Sequence, residues 1–453
     1  MSFLRLGFIR SKSRRDEGEE DAPRFGHERL GCAAPLLEVM NILWLTLADP
    51  YPVDNGQFIY SAGLIRALEL SGASIHACGF YRPGDKVSEE TQGGIARWRL
   101  ASHRPRSRWR CLLSPWPALA SRTQTQELRQ IVEAELEQRP WDVVVFDSIA
   151  LAWAIGMVVK WRVRTGNRAT IVYLSHNHEE SVATAMATQE RRAFNRLVRQ
   201  FDAWKMRWRE RSLSRQADLI TANTPEDRAR FAQTWPDKPT EFLPPGYQGP
   251  KAEDRRIMHA TLSRRALIVG SFHWPAKQHS LEAFLDVADP MFAKAGIELL
   301  VVGNAEEAFL ERQRKRVVAT CFTGRVADIF PYMQDARIAV VPDLLGGFKL
   351  KTLDYIFSRL PIFAIDGSVP GLPLEPERSI FVFPDHHALA HGIVSSIDDL
   401  DRLNVAQDEA YLSCRDQFDW TAIGRRLLAA IDRATDRADA VRIGHPMRSA
   451  ISH

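Results

Sequence analysis

The 453-residue chain has little cysteine and no long apolar run. None of its five cysteines stands in CxxC spacing, so the sequence predicts neither a disulfide framework nor a zinc site and favours a reducing compartment. The longest apolar run, Ile149–Val159, falls short of the roughly 18 residues that a transmembrane helix needs. Residues 1–10 lack the uninterrupted apolar core of a signal peptide. These absences predict a cytoplasmic protein.

A strong charge of either sign is also missing, since 60 Lys and Arg stand against 56 Asp and Glu. This mild excess does not predict nucleic-acid binding. Basic residues nevertheless cluster with aromatic residues in 97–113 and 191–215. For 97–113 we favour contact with an anionic membrane surface. For 191–215 such contact and a solvated basic face on a core helix both remain open.

Strand-like and helix-like patterns alternate in two blocks, which the Pro- and Gly-rich segment Leu243–Arg255 separates. This alternation predicts an α/β protein with two Rossmann-like domains of parallel strands, facing each other across a cleft. Met40 could be the true start of the chain. The predicted division is a disordered extension (1–39), a first domain for the acceptor (40–245), a second domain for the donor (256–415), a helix that crosses back to the first domain (416–435) and a tail (436–453).

The stretch Pro342–Pro361 carries the clearest chemical signal. Gly346 and Gly347 follow a strand pattern, and a predicted helix over 349–357 begins with Lys349 and Lys351 in its first turn. Lysines are unusual there because the helix dipole favours anions at its N-terminus. A bound diphosphate would resolve the conflict, since glycines let the backbone approach the phosphates. The alternative is a solvated helix start after an ordinary glycine turn.

This stretch resembles the donor site of GT4-type glycosyltransferases, which are retaining enzymes of the GT-B fold. The family pattern is E-G-F-G-(x)5-E-A-M-A-x-G-x-P, and Phe348, Asp354 and Pro361 stand at its matching positions. The match is closer to a subgroup with G-G-x-x-L-K-x-L-E that is common among bacterial exopolysaccharide enzymes. Asp354 is accordingly expected to hold ribose hydroxyls. Gly346 replaces the first acid of the family pair, which contacts the donor sugar.

Five further segments resemble the family in the same order along the chain. They are a cleft loop (49–56), an H-N-x-E segment (175–179), a G-S-x-x-W loop (270–275), an F-x-G-x-V turn (322–326) and an F-x-W start of the crossing helix (418–420). The resemblance implies site residues in the cleft loop (Asp54, Asn55, Gly56) and in the donor and base loops (Ser271, His273, Lys277, Gly324, Arg325).

His176 is the candidate catalytic residue, because it follows a predicted parallel strand at the edge that faces the cleft. The matching family histidine contacts the transferring sugar or the acceptor. The alternative is a buried structural histidine. His178 is expected to be a bystander, and Glu179 to cap or orient the next helix.

No DxD pattern stands at a predicted strand end, so we expect no metal and no cofactor beyond a UDP- or GDP-linked sugar. Lys349, Lys351 and Lys277 would neutralise the leaving group. The resemblance implies a retaining transfer in which the leaving phosphate takes the acceptor proton. The expected acceptor is a glycan or lipid-linked oligosaccharide in polysaccharide synthesis, at the inner face of the plasma membrane. A nucleotide-sugar epimerase and a catalytically silent GT-B subunit are the alternatives.

Overall fold

The computed structural model describes residues 39–444 apart from 52, 54, 83–95, 103–110, 112, 191, 253, 255, 274 and 344–346. The predicted extension up to residue 38, the end of the predicted tail, and the site candidates Asp54 and Gly346 therefore lie outside the described residues.

Seven parallel strands form the first sheet, in the order β3-β2-β1-β4-β5-β6-β7. Every residue of the central strand β4 is buried, because a parallel sheet is covered by helices on both faces and its inner strands are apolar throughout. The strands are β1 (Asn41–Leu45), β2 (Ser74–Phe80), β3 (Arg97–Ala101), β4 (Val143–Asp147), β5 (Thr170–Ser175), β6 (Leu219–Ala222) and β7 (Thr240–Phe242).

Helices cover both faces of this sheet and bury two apolar clusters against it. One cluster includes Phe146 and Tyr173, and the other includes Trp44 and Leu174. The helices are α1 (Gly56–Leu70), α2 (Ala118–Thr123), α3 (Gln126–Gln138), α4 (Ile155–Thr165), α5 (Glu179–Gln189), α6 (Ala193–Gln216) and α7 (Pro225–Thr234).

The second sheet has six parallel strands in the order β10-β9-β8-β11-β12-β13. Its strands are β8 (Arg265–Val269), β9 (Glu298–Val302), β10 (Thr320–Gly324), β11 (Ile338–Val341), β12 (Ile362–Ile365) and β13 (Phe381–Phe383). Its helices are α8 (Pro275–Ala295), α9 (Glu307–Arg314), α10 (Phe330–Gln334), α11 (Lys351–Phe357), α12 (His386–Ser396) and α13 (Leu400–Cys414). Both sheets follow the Rossmann strand order, whose ligand sites lie at the carboxyl ends of the strands, where the order reverses.

The last helix, α14 (Trp420–Gly444), packs on α1 of the first domain. Trp420 fits against glycines, since a Cβ added to Gly63 or Gly246 would lie 2.2 or 2.4 Å from its ring. Gly424 similarly allows α14 to approach Ala67 closely. The predicted fold class, two facing Rossmann-like domains with a helix that returns to the first, is confirmed.

Two local predictions need correction. Helix α11 begins at Lys351 and not at Lys349, whose carbonyl instead accepts the backbone N–H of Thr352 at 2.9 Å in the turn before the helix. Within the basic segment 97–113, residues Arg97–Ala101 form the edge strand β3, which pairs with β2. The strand escaped prediction because alternate residues are exposed charged side chains, as is usual at a sheet edge.

Candidate active site

The carboxyl ends of the two sheets meet across a narrow crevice. The backbone N–H of Gly347, which follows β11, donates to Oδ1 of Asn177, which follows β5, at 2.8 Å. A Cβ on Gly347 would lie 2.8 Å from the carbonyl oxygen of His176 and 2.9 Å from Oδ1 of Asn223. Only glycine therefore fits at this contact between the domains.

The predicted cleft loop also borders the crevice. Gly56 opens α1, and a Cβ there would lie 3.4 Å from the Leu350 side chain of the second domain. Asn55 caps α1 by accepting the backbone N–H of Phe58 at 3.1 Å. The loop thus brings the start of α1 to the donor-side segment.

His176 is held by a buried aspartate at the end of β4. Its Nε2 lies 2.6 Å from Oδ1 of Asp147, and its ring meets the edge of Tyr60 at 5.4 Å between centroids. The second oxygen of Asp147 accepts the indole N–H of Trp44 at 2.9 Å. Because Asp147 is fully buried, this arrangement fixes the orientation of the imidazole.

The surroundings of Asp147 favour its charged form. Burial raises the pKa of its carboxyl, but the hydrogen bond and charge of His176, with hydrogen bonds from Ser61 and Trp44, outweigh burial and leave the pKa below its usual value. Asp147 was not predicted from the sequence as a site residue. The sequence feature that could have indicated it is an acid directly after an apolar strand pattern, in the strand beside the one that His176 follows.

Three lysines surround one aspartate on the opposite side of the crevice. Asp343, two residues after β11, accepts from Nζ of Lys351 at 2.9 Å and pairs with Nζ of Lys349 at 3.5 Å. Burial lowers the pKa of Lys277 of α8, and the charge of Lys351 lowers it further while that of Asp343 opposes the shift. All three lysines were predicted from the sequence, whereas Asp343, which pairs with Lys349 and Lys351, was not.

The electrostatics of this cluster show an excess of positive charge. Burial lowers the pKa of Lys349 to about 8. The charges of Lys351 and Lys277 also lower this pKa, whereas the charge of Asp343 raises it. Burial raises the pKa of Asp343, but the neighbouring lysines outweigh it and hold that pKa far below its usual value. Lys349 is buried rather than pointing into bulk water, so its charge suits an anion that enters the crevice.

Asp354 lies one turn into α11, beside the segment that joins the domains. Burial raises its pKa to about 6, against a hydrogen bond with Tyr247 that lowers it. The Tyr247 ring stacks on Phe357 of the same helix at 4.5 Å. Phe348 packs at 5.8 Å from Phe418, so the aromatic residue of the donor segment anchors it to the start of the crossing helix.

The remaining predicted donor residues lie in loops after β8 and β10. Ser271 is half-buried, while His273 and Arg325 are exposed. Gly324 adopts a φ of 71°, which favours glycine at that turn. The structure thus places these side chains at the carboxyl edge of the second sheet.

The loop that carries His176, which we call the histidine loop, leads into α5. The prediction for Glu179 needs correction. Glu210 of α6 holds the start of α5 by accepting the backbone N–H groups of Glu179 and Glu180 at 3.0 and 2.7 Å. The Glu179 carboxylate instead accepts from Nδ2 of Asn177 at 3.0 Å and so orients the amide that meets Gly347. His178 is buried against Phe231.

A cavity of about 210 Å³ lies beside Gly347 and is lined by both domains. The first domain contributes Thr224, Asp227 and Arg230, and the second contributes Gly367. Arg230 and Asp227 form an ion pair at 2.7 Å on its wall. Asn223, next to this wall, has a buried Oδ1 that finds no hydrogen-bond donor among the described residues.

The described part of the chain holds neither a cluster of metal-binding side chains nor a membrane-spanning helix. Within it, no three His, Cys, Asp or Glu side chains come together as a metal site would require. Over the same residues, none of the helices has the length and apolar character needed to cross a membrane.

Residues 263–399, which include the lysine cluster and Asp354, match the family model described as glycosyl transferases group 1. No curated protein matches the chain in sequence.

Solved structures match nearly the whole chain. Sucrose-phosphate synthase from Thermosynechococcus elongatus is 19% identical with a TM-score of 0.63, covering 88% of this chain and 100% of its own. Anabaena HepE, solved with UDP and glucose, is 14% identical with a TM-score of 0.56, covering 87% and 99%. WaaG, a glycosyltransferase involved in lipopolysaccharide biosynthesis, is 15% identical with a TM-score of 0.56 and the same coverage. The chain therefore has the GT-B fold, and residues 263–399 of its second domain are similar to glycosyl transferases group 1.

Proposed function

We propose that the chain transfers a sugar from a UDP- or GDP-linked donor to a glycan or lipid-linked acceptor in polysaccharide synthesis. The observation that carries the proposal is the group of Lys277, Lys349 and Lys351 around Asp343. Counted over the described residues, three cations lie around one anion. The positive charge that this leaves is mostly buried, and a diphosphate would neutralise it. The family match over 263–399 and the neighbours solved with UDP support this reading.

In this proposal, residues on the two sides of the crevice have different roles. The lysines stabilise the charge that develops on the leaving diphosphate, as fixed cations do for transition states elsewhere. Asp354 accepts hydrogen bonds from the ribose. His176, oriented by Asp147, contacts the transferring sugar or the acceptor from the first domain.

We further propose retention of anomeric configuration. Asp147 is fully buried, with both of its oxygens in hydrogen bonds to Trp44 and His176, so it is poorly placed to act as a nucleophile. The acceptor hydroxyl would attack the anomeric carbon while the bond to the diphosphate oxygen breaks, and the leaving phosphate would take the hydroxyl proton. We propose no metal and no cofactor besides the nucleotide sugar.

The test combines binding and turnover. Calorimetry should show UDP or GDP binding by the wild type, and the variant Lys349→Met with Lys351→Met should lose diphosphate affinity while keeping affinity for the free nucleoside. An equal loss for the nucleoside contradicts the phosphate assignment. Lys160→Met, an exposed lysine of α4, is the matched control.

Turnover is measured as nucleotide release from a panel of UDP- and GDP-sugars, with and without a membrane extract that supplies acceptor. Acceptor-dependent release, with the product anomer read by NMR, supports a retaining transferase. Binding without release from any donor points to a silent subunit. A changed sugar still attached to its nucleotide points to an epimerase.

A further inference from the structure

The outward face of α6 carries a row of large apolar side chains. Five of these side chains are each between 48% and 69% exposed. Exposed apolar patches are uncommon on a monomer unless they bind something. Their spacing of three and four residues places them on one side of the helix. We call this set the α6 stripe: Phe194, Leu197, Phe201, Trp204 and Trp208.

A second segment extends the apolar surface beside the stripe. Lys205 points inward and donates to the carbonyl oxygen of Ser114 at 3.2 Å and that of Cys111 at 3.4 Å. Leu113, in the segment that these bonds fix, is 86% exposed. An open groove of about 630 Å³ runs between Leu113 and the stripe.

Arginines border the stripe on both sides. At 100° per residue, Arg207 and Arg211 fall on one side and Arg209 on the other. Arg207 and Arg211 share a single carboxylate, that of Glu180. Arg209 lies over the Trp208 ring at 4.2 Å. Two arginines against one carboxylate leave the border formed by Arg207 and Arg211 cationic.

We infer that the α6 stripe docks on an anionic lipid bilayer, an inference that rests on the proposed function for its lipid-linked acceptor. Tryptophan and phenylalanine rings enter the boundary between headgroups and acyl chains, while arginines stay at the phosphate level. The same spacing also suits a coiled-coil seam with a second copy of the chain. A second copy would bring two cationic borders together, so the charge favours the bilayer.

Sedimentation of the full chain with vesicles tests this inference. The wild type should bind vesicles of mixed phosphatidylcholine and phosphatidylglycerol, and should bind phosphatidylcholine alone much more weakly. Trp204→Ser with Trp208→Ser should weaken binding to the mixed vesicles about tenfold or more. Val163→Ser with Val318→Ser removes two apolar side chains elsewhere that are 80% and 86% exposed and should leave binding unchanged.

Wild-type vesicle binding that does not depend on phosphatidylglycerol would overturn the inference, and so would tryptophan variants that bind vesicles like the wild type. Analytical ultracentrifugation of the same proteins tests the alternative that a second copy of the chain binds the α6 stripe. A wild-type dimer that the tryptophan substitutions dissociate would assign the stripe to a second copy.

Measuring UDP and GDP affinities on the same proteins separates this inference from the proposed function. Loss of vesicle binding with unchanged nucleotide affinity supports docking through the stripe. A wild type that binds mixed vesicles but neither nucleotide would refute the proposed function and leave the docking surface standing.

Discussion

Replacing Lys349 with methionine should stabilise the free protein while weakening its hold on nucleotide. The fall in pKa from 10.5 to about 8 corresponds to about 3 kcal/mol of free energy spent in keeping this lysine charged. Methionine keeps the apolar stem and removes the charge. Asp343 loses an ion pair at 3.5 Å but keeps Lys351 at 2.9 Å, which offsets part of the gain. We expect the free energy of unfolding to rise by about 1–2 kcal/mol.

The pH dependence gives this prediction a second readout. Because the folded pKa is lowered, the unfolded chain holds a proton on Lys349 between about pH 8 and 10.5 that the folded chain has released. The wild type therefore gains stability from this group as pH rises through that window. The advantage of Lys349→Met should be largest below pH 8 and should shrink as the pH approaches 10.5.

Urea unfolding with and without UDP measures both effects, with Lys160→Met as the control. UDP affinity of Lys349→Met should fall by about 1.5–3 kcal/mol, the range for a hydrogen bond to a charged group. A variant that is less stable than wild type at neutral pH, and that binds UDP normally, would refute the reasoning. Such a result would make Lys349 a structural partner of Asp343 alone.

The remaining predictions concern the other parts of the crevice. Asp354→Ala should weaken UDP binding by about 1–3 kcal/mol in calorimetry, and unchanged affinity would count against the ribose role. His176→Ala and Asp147→Asn should both lower turnover, by up to about a hundredfold, more than they lower donor affinity; full activity in either variant contradicts the orientation argument. Gly347→Ala places a Cβ 2.8 Å from a backbone oxygen, so the crevice should open and both UDP affinity and turnover should fall. Wild-type kinetics in that variant would show that the close approach is dispensable.

The fold was predictable because its inner strands are apolar runs. β4 reads Val-Val-Val-Phe and β11 reads Ile-Ala-Val-Val, and buried parallel strands have this pattern. The edge strand β3 alternates exposed and half-buried residues, so its Arg-rich sequence favoured a surface reading. The short strands β7 and β13 contain only three residues each, too few for a period to appear.

Site residues with a local motif were also predictable, whereas their partners were not. Lys349, Lys351 and His176 stand within recognisable segments. Asp147 is the last residue of β4 and Asp343 follows β11. The role of each acid depends on which side chain the neighbouring element places within 3 Å. A linear sequence does not give those distances.

Helix α6 connects the proposed lipid surface to the histidine loop. Its inner face presents Glu210, which holds the first two backbone N–H groups of α5. Arg211 adds two contacts to the Glu180 carboxylate at 2.9 and 3.1 Å. Because α5 begins two residues after Asn177, the stripe and the His176 loop belong to one packed body.

In the proposed function, the two substrates are held by different domains. A lipid-linked acceptor held at the α6 stripe would be presented by the domain that carries His176, whereas the donor lysines belong to the second domain. The proposed transfer would require the two domains to meet, and the bond from Gly347 to Asn177 is a contact between them. Since the Glu179 carboxylate orients the Asn177 amide, this contact depends on the same start of α5 that α6 holds in place.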